Sequence, residues 1–318
     1  GDTMNVNYLR ISVTDRCNLR CFYCMPQEGI KLKRHKDIMS YEDIYKVTQA
    51  AAEIGITKVR ITGGEPLVRL GVEELIEKID SIPKIDEISL TTNGVSLYKQ
   101  AEDLKEKGLD RVNISLDTLD RSQFKEITGR DRLNKVLKSI DQAKELELTP
   151  VKVNTVLIKG INDNQIEDFL KFMDEKDIIL RFIEYMPIGS EKDQANYVKI
   201  ADIKEVLKQK YELIPAQVKG NGPAKYYKVK GFNGKLGFIS PFSHNICSDC
   251  NRLRLTADGK IRSCLLKEEE TSLYDEKKLV GRNKIKEILL KSIQKKSPHY
   301  GYEEVFANNN KNMNSIGG

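Results

Sequence analysis

The sequence predicts an α/β fold in which parallel strands alternate with helices. Through the first two thirds of the chain, short segments rich in β-branched residues alternate with segments whose apolar residues recur every three or four positions. Gly55 and Gly108 stand where two of the helical segments should end. Six strand–helix units in series favour parallel strands with right-handed crossovers, and they leave an open sheet, a complete barrel and a partial barrel as alternatives.

Each element is predicted from its own pattern. The predicted strands cover residues 7–14, 58–63, 87–94, 111–117, 151–158 and 178–186. The predicted helices between them cover residues 41–55, 72–82, 98–108, 131–147 and 162–176. After about residue 215, short strands with glycine turns predict an antiparallel addition, and a lysine-rich helical stretch follows around 276–296. We therefore expect a first domain at 1–215 and a second at 216–318.

Composition limits the classes of protein that fit. Of 318 residues, 39% are apolar, which allows a sizeable core. The net charge of +6 comes from 53 basic and 47 acidic residues, and no basic block typical of nucleic-acid binding is present in the sequence. The apolar runs are too short to cross a bilayer and no secretory leader opens the chain, so we expect a cytoplasmic protein that binds neither nucleic acid nor membrane.

The six cysteines form two groups of three. The first group is Cys17, Cys21 and Cys24, and the second is Cys247, Cys250 and Cys264. A structural zinc site usually has four ligands, whereas an iron–sulfur cluster held by three thiolates leaves one iron open to a substrate or cofactor. Two metal centres are therefore expected, with zinc and then inert thiols as the alternatives, and His244 could complete a zinc site in the second group.

Polar and glycine-rich residues follow the predicted strands. Because the carboxyl ends of parallel strands meet at one edge, these residues favour a shared site. They are Thr14-Asp15-Arg16, Gly63-Gly64-Glu65, Thr91-Thr92-Asn93, Ser115 with Asp117, and Glu184 with Met186. Arg10, Arg60 and Lys152 lie within the strands themselves, where a buried charge is costly unless it is paired and where strand alternation could instead direct it to solvent.

The stretch "CNLRCFYC" (17–24) resembles the cysteine motif of the radical S-adenosylmethionine (SAM) superfamily. Together with "RITGGEPLVR", "TTNG", "NISLD", "FSHNICSDCNRLRLTADGKIRSCL" and the closing "GG", it resembles the GTP 3′,8-cyclase family of molybdenum cofactor biosynthesis. This resemblance implies a partial TIM-type barrel of six βα units, with a C-terminal antiparallel extension that carries a second iron–sulfur cluster and binds GTP.

The resemblance also implies roles for individual residues. Cys17, Cys21 and Cys24 would hold a [4Fe-4S] cluster that binds SAM, and Cys247, Cys250 and Cys264 would hold a second one that contacts guanine. The residues implied in SAM binding are Tyr23, Gly63, Gly64, Glu65, Ser115 and Met186. Those implied in GTP binding are Arg10, Arg60, Thr91, Lys152, Arg252 and Arg254, with Lys58 and Arg181 as further candidates. Arg252, Arg254, Gly317 and Gly318 are the implied catalytic residues.

The implied reaction begins with cleavage of SAM to a 5′-deoxyadenosyl radical, which abstracts hydrogen from ribose C3′ of GTP. The C3′ radical then attacks guanine C8 to give 3′,8-cyclo-7,8-dihydro-GTP. The resemblance further implies a homodimer, a reductant such as a flavodoxin or ferredoxin, and a downstream cyclic pyranopterin monophosphate synthase. Three alternatives stay open: a peptide-modifying radical SAM enzyme with an auxiliary cluster, a non-enzymatic zinc-binding module, and a nucleic-acid-binding protein suggested by the pI of about 8.8 alone.

Overall fold

The computed structural model describes residues 6–25, 29–186, 196–219, 222–241, 250–265 and 268–296. Within these ranges the chain forms one twelve-stranded sheet, a separate two-stranded hairpin and eight α-helices. The strands of the large sheet are β1 Tyr8–Ser12, β2 Lys58–Thr62, β3 Glu87–Thr92, β4 Arg111–Ser115, β5 Lys152–Leu157, β6 Ile179–Glu184, β7 Leu213–Ala216, β8 Lys225–Val229, β9 Lys235–Ile239, β10 Arg252–Leu255, β11 Lys260–Arg262 and β12 Thr271–Ser272. The hairpin is β13 Tyr274–Asp275 and β14 Lys278–Leu279.

The helices follow the strands as the alternating pattern predicts. They are α1 Tyr41–Glu53, α2 Val72–Asp80, α3 Leu97–Glu106, α4 Arg121–Thr128, α5 Leu133–Glu145, α6 Ile166–Lys176, α7 Ile200–Lys210 and α8 Arg282–Gln294. Ser40 caps α1 by accepting a hydrogen bond from the Asp43 amide, and Asp120 caps α4 by accepting one from the Gln123 amide. Gly55 and Gly108 have φ of +102° and +99° just after α1 and α3, a conformation that favours glycine.

Strands β1 to β6 are parallel and lie side by side in chain order. The later strands extend both edges of this unit. At one edge β10 pairs parallel to β1 and continues through antiparallel β11 and β12, and at the other edge β9 pairs parallel to β6 and continues through antiparallel β8 and β7. The C-terminal part of the chain therefore completes the same sheet from two sides.

The two faces of the sheet differ in polarity because strand residues alternate. On the face towards the helices, apolar residues such as Leu9, Val59 and Leu90 are fully buried. The opposite face is concave, since side chains from eight of its strands line one cavity of about 340 Å³. That face carries polar and charged residues, among them Arg10 and Arg60. The buried strand cations thus point into the barrel interior rather than to solvent.

The predicted partial barrel is confirmed, and all six predicted strands and five predicted helices are present with shorter bounds. Two helices, α4 and α7, were not predicted. In α4 the buried apolar side chains are only Phe124 and Ile127, which is too few to produce a clear helical period. The antiparallel addition is confirmed for β7–β9 and β10–β12, but its parallel attachment to β6 and β1 was not predicted.

Within the described part of the chain, no helix combines the length and apolar character needed to cross a lipid bilayer. The predicted division of the chain at residue 215 stays a prediction. Residue 215 lies within β7, in the sheet that also contains β1 to β6.

The segment that follows the first cysteine group is tied to the turn between β10 and β11. The Lys33 amide donates to Asp15 Oδ2 at 2.6 Å, and Lys33 Nζ donates to Asp258 Oδ2 at 2.9 Å. Thr256 Oγ1 donates to Asp258 Oδ1 at 2.7 Å. Although burial alone would raise the pKa of Asp258, these donors and the Lys33 cation lower it to about 2.

This contact predicts a pH-dependent contribution to stability. The folded chain holds the Asp258 proton less tightly than the unfolded chain, so the stabilisation is complete above about pH 4 and is lost as the pH falls towards about 2. We expect Asp258→Asn, and to a lesser degree Lys33→Met, to flatten the dependence of the unfolding free energy on pH in this window. Denaturant titrations at several pH values measure this, and identical pH slopes for wild type and D258N would contradict it.

Candidate active site

One cavity collects the residues at the carboxyl ends of the strands and on their inner face. Its volume is about 340 Å³. Five of the described cysteines line it, namely Cys17, Cys21, Cys24, Cys250 and Cys264. The other polar residues that line it include Tyr8, Arg10, Tyr23, Arg60, Thr91, Asn93, Ser115, Asp117, Asn154, Arg181, Arg252 and Arg254. The first cysteine group, the two described cysteines of the second group and the strand arginines therefore open into the same space.

The first cysteine group lies on the loop after β1. Cys17, Cys21 and Cys24 are half-buried, and the Cys24 amide donates to the Cys21 carbonyl in a tight turn. Burial raises the pKa of Cys17 and raises that of Cys21 well above its usual value. Iron binds cysteine as the thiolate and offsets this cost, so an iron–sulfur cluster fits this donor set.

The arrangement of the sulfur atoms bears on the zinc alternative for the first cysteine group. Within the described residues, no three His, Cys, Asp or Glu side chains are arranged to hold a single metal ion. A cluster takes each thiolate on a different iron atom and does not require that arrangement.

Gly63 and Gly64 support the cysteine loop by close backbone contact. The Gly64 amide donates to the Thr14 carbonyl at 2.7 Å, and the Glu65 amide donates to the Arg16 carbonyl at 2.8 Å. A Cβ at position 63 would lie 2.6 Å from Thr14 O, and one at position 64 would lie 2.4 Å from Arg16 O. Both positions therefore require glycine for contact with the protein's own backbone.

Glu65 is buried beneath the same loop and is not among the described residues that line the cavity. Its carboxylate accepts hydrogen bonds from the Leu67 amide at 3.1 Å, Thr92 Oγ1 at 2.8 Å and the Asn93 amide at 2.6 Å. Burial nevertheless raises its pKa to about 7. Glu65 thus joins the segment after β2 to the end of β3.

Two polar residues at strand ends contact the cysteine loop directly. Asn93 Nδ2 donates to Asn18 Oδ1 at 2.7 Å and lies 3.7 Å from Cys17 Sγ. Tyr23 OH donates to Asp117 Oδ2 at 2.5 Å, while Asp117 Oδ1 accepts from the Val156 amide at 2.9 Å. Burial raises the pKa of Asp117 to about 6. Sequence reasoning alone assigned Asn93 and Asp117 no role beyond marking polar strand ends.

The second cysteine group flanks β10 and β11. Cys250 precedes β10 by two residues and Cys264 follows β11 by two, and both thiols line the cavity. Burial alone would raise the pKa of Cys250, but the Arg252 and Lys296 cations lower it to about 7. Cys247 and His244, as well as Gly317 and Gly318, lie outside the described residues.

Cations crowd the inner face of the sheet. Strand register places Arg10 beside Arg60 on β2 and beside Arg254 on β10. Burial and the neighbouring Arg254 and Arg60 hold the pKa of Arg10 well below its usual range, and burial is the main cause that lowers those of Arg60 and Arg254 to about 10. The site is therefore built to receive negative charge.

A few hydrogen bonds fix the guanidinium groups. Arg60 Nε donates to Ser89 Oγ at 3.1 Å. With its oxygen facing the guanidinium groups, the Asn113 amide accepts from Arg60 Nη2 at 3.1 Å and from Arg181 Nη2 at 3.3 Å. Arg111 pairs with Glu87, and its Nε and Nη1 have no hydrogen-bond partner within the described part of the chain. Arg111 itself is not among the described residues that line the cavity.

The structure brings most of the predicted residues together. Tyr23, Gly63, Gly64, Ser115 and Met186 line the cavity, as do Arg10, Arg60, Thr91, Arg181, Arg252 and Arg254. Lys152 and Lys58 are not among the described residues that line it. Lys152 Nζ instead donates to the Lys219 carbonyl at 2.7 Å and lies 5.6 Å from the centre of the Tyr226 ring. The individual roles of all these residues stay predictions.

Comparison with known proteins shows which families match this chain. A family model described as the radical SAM superfamily matches residues 11–173, and one described as molybdenum cofactor synthesis C matches residues 178–302. The chain is 46% identical over 316 residues to a GTP 3′,8-cyclase of Petrotoga mobilis, covering 99% of this chain and 98% of the relative. It is 47% identical over 319 residues to one of Desulforamulus reducens, with the same coverage.

A solved structure agrees in fold. The crystal structure of Streptococcus suis SuiB bound to S-adenosylmethionine superposes with a TM-score of 0.60 at 18% identity. The match covers 86% of this chain and 64% of the SuiB chain, so the present chain spans less than two thirds of SuiB. At that identity the likeness shows the fold alone.

The partial barrel and the cysteine loop after β1 define a radical SAM protein. The radical SAM superfamily implies one [4Fe-4S] cluster and S-adenosylmethionine. Because relatives above 45% identity match it over nearly its whole length, the chain belongs to the GTP 3′,8-cyclase family.

The close contact between Gly64 and the Arg16 carbonyl predicts the effect of adding a methyl group at position 64. We expect Gly64→Ala to displace the cysteine loop, to lower the unfolding free energy by about 1–3 kcal/mol and to weaken SAM binding. Gly281→Ala is the matched control, because Gly281 has φ of −64° and open space around its Cβ position. Denaturant unfolding and SAM titration measure both variants. Equal stability and SAM affinity for G64A and wild type would show that the contact does not constrain the loop.

Proposed function

We propose that this chain converts GTP to (8S)-3′,8-cyclo-7,8-dihydroguanosine 5′-triphosphate, the first step of molybdenum cofactor biosynthesis. The observation that carries the proposal is the shared cavity, in which the first cysteine group and a set of buried arginines face the same space. A radical SAM site needs the cysteines, and a triphosphate needs the cations. The names of the close relatives support the same reaction.

SAM would be held by residues at the carboxyl ends of the strands. Cys17, Cys21 and Cys24 would carry the [4Fe-4S] cluster, and Tyr23 and Met186 line the wall of the cavity, where adenine would lie. When bound, the cluster and SAM supply the 5′-deoxyadenosyl radical that takes hydrogen from ribose C3′. The Tyr23–Asp117 hydrogen bond fixes the tyrosine ring against movement during this step.

GTP would be held by the inner face of the sheet. Arg10, Arg60 and Arg181 supply positive charge to the triphosphate, and Asn113 holds two of these guanidinium groups in place. Apolar side chains that line the same cavity, such as Val156 and Ile239, reduce water access and strengthen these contacts. The enzyme thereby fixes the ribose while C3′ approaches guanine C8.

The C-terminal part of the chain would complete the site. Cys250 and Cys264, with Cys247, would hold a second [4Fe-4S] cluster beside the guanine, and Arg252 and Arg254 would contact the reacting nucleotide. Gly317 and Gly318 would reach into the cavity as a narrow tail. We also propose that the protein works as a cytoplasmic homodimer, receives electrons from a flavodoxin or ferredoxin, and passes its product to a cyclic pyranopterin monophosphate synthase.

Anaerobic turnover tests the function. The chain is reconstituted with iron and sulfide, reduced, and incubated with SAM and either GTP, ATP or no nucleotide. We expect 5′-deoxyadenosine and the cyclised nucleotide to form with GTP alone, and about eight irons per chain. A peptide-modifying enzyme would leave GTP unchanged, and a zinc module would bind zinc and release no deoxyadenosine. Turnover of SAM that is independent of GTP, with GTP unchanged, would refute the proposal.

The low pKa of Lys152 predicts that GTP binding is accompanied by proton uptake. Burial, with Arg111, Arg181 and Arg60, lowers its pKa to about 6 from a usual value of 10.5. Between these values the unfolded chain binds one more proton at this site than the folded chain, so rising pH stabilises the folded state. A nearby triphosphate favours the charged lysine, and we therefore expect GTP binding at pH 8 to take up a proton.

Isothermal titration calorimetry in buffers of different ionisation enthalpy measures this uptake. We expect Lys152→Met to abolish most of it and to weaken GTP binding. The exposed Lys228 on β8 offers a control, since K228M should retain both the uptake and the affinity. Equal proton uptake by wild type and K152M would contradict the prediction.

A further inference from the structure

Lys296 lies next to the second cysteine group although it belongs to a different element. It follows α8 by two residues, and its amide donates to the Ile293 carbonyl at 3.1 Å, which continues the last turn. Helix α8 is fixed by buried side chains such as Ile285 and Leu289 and packs against α1 and β11. The backbone that carries Lys296 is therefore held in place by the core.

The Lys296 ammonium group makes three polar contacts. Its Nζ lies 2.8 Å from the Arg252 carbonyl, 2.8 Å from the Ser263 carbonyl and 3.5 Å from Cys250 Sγ. An ammonium group has three N–H donors, so these contacts use all of them. The Lys296 side chain is only half-buried, so burial alone does not explain why its ammonium group has these three partners. The partners instead reflect the position in which the backbone holds the side chain.

The two carbonyls mark the place where β10 and β11 separate. Arg254 pairs with Arg262 in antiparallel register, so the next pair outward would be Leu253 with Ser263. The described ladder ends before that pair, and Lys296 bridges the two chains there. One bridged carbonyl lies two residues after Cys250, and the other belongs to the residue just before Cys264.

Arg262 makes different hydrogen bonds at this edge of the sheet, while Arg254 interacts electrostatically with both thiols. Arg262 donates to the Cys264 carbonyl at 3.4 Å and to the Leu265 carbonyl at 3.2 Å, but both acceptors belong to the segment after β11. The hydrogen bonds of Lys296 join the Cys250 segment to the Cys264 segment. Its positive charge also lies where the thiolates of a cluster would concentrate negative charge.

We propose that Lys296 is a positioning residue that clamps the Cys250 and Cys264 segments together and so presents both thiols to one iron–sulfur centre. The inference rests on the proposed function in so far as these thiols are cluster ligands. Residues that hold metal ligands by hydrogen bonds commonly change metal affinity by about 10- to 100-fold when they are replaced. Lys296→Met removes both the donors and the charge, Lys296→Gln keeps an N–H donor without the charge, and Lys296→Arg keeps both.

The matched control is the neighbouring Lys295, which pairs with Glu269 on the exposed side of α8. After anaerobic reconstitution we expect about eight irons per chain in wild type and K295M, and about four in K296M. The first centre serves as an internal control for folding, because K296M should retain its electron paramagnetic resonance signal and SAM binding. K296R should recover most of the second signal, and K296Q an intermediate part. A K296M protein with eight irons and an unchanged second signal would overturn the proposal.

A second measurement does not depend on any cluster. In the metal-free protein, dibromobimane links pairs of nearby thiols, and mass spectrometry identifies the linked pair. We expect the yield of the Cys250–Cys264 link to fall severalfold in K296M and to stay unchanged in K295M, whereas a yield unchanged in both variants would overturn the clamp. If wild type holds only four irons but the link still depends on Lys296, the proposed second cluster fails while the clamp stands.

Discussion

Repulsion between buried cations on the inner face of the sheet is the constraint on which the site depends. Arg10 lies between Arg60 and Arg254 in register, and the low pKa of Arg10 reflects both its burial and these neighbours. Among the described residues of β1 to β6, Glu87 is the only carboxylate on that face. The fold tolerates this charge because the opposite face buries a large apolar core. An anionic ligand that enters the cavity therefore removes an unfavourable interaction as well as making new ones.

The same sheet also fixes the position of the cysteine loop at the carboxyl ends of its strands. The glycine pair after β2 extends the pairing of β1 and β2 as far as Arg16, so the cysteine loop begins from a rigid position. Glu65 links this segment to Asn93, whose amide group reaches Cys17. The order of β1, β2 and β3 in the sheet thus determines the position of the Cys17 thiol. A site assembled from strand ends needs no long ordered loop to place its groups.

The sequence predicted those parts whose signal is local. The strands and helices could be predicted because apolar periodicity is a property of neighbouring residues in the sequence. The cysteine groups could be predicted because their spacing is short. The parallel attachment of β10 to β1 depends on contacts between residues about 240 positions apart, for which one sequence offers no pattern. Asn93 and Asp117 were visible only as polar strand ends, since a single polar residue in a loop has many ordinary explanations. Lys152 was placed among the site residues by resemblance, and its contact with the Lys219 carbonyl depends on a segment far away in the chain.

The position of β10 has a consequence for how the two halves of the chain work together. β10 takes the place beside β1 that another barrel strand would take, and its register sets Arg252 opposite Tyr8 and Arg254 opposite Arg10. The C-terminal arginines are therefore fixed by backbone hydrogen bonds to the strand that leads into the first cysteine loop. Any displacement of β10 moves Cys250 and the arginines together, and it also exposes the edge of β1. The first cysteine group and Cys250 thus lie beside a directly paired couple of strands, and the distance between them is set by strand pairing rather than by a flexible linker.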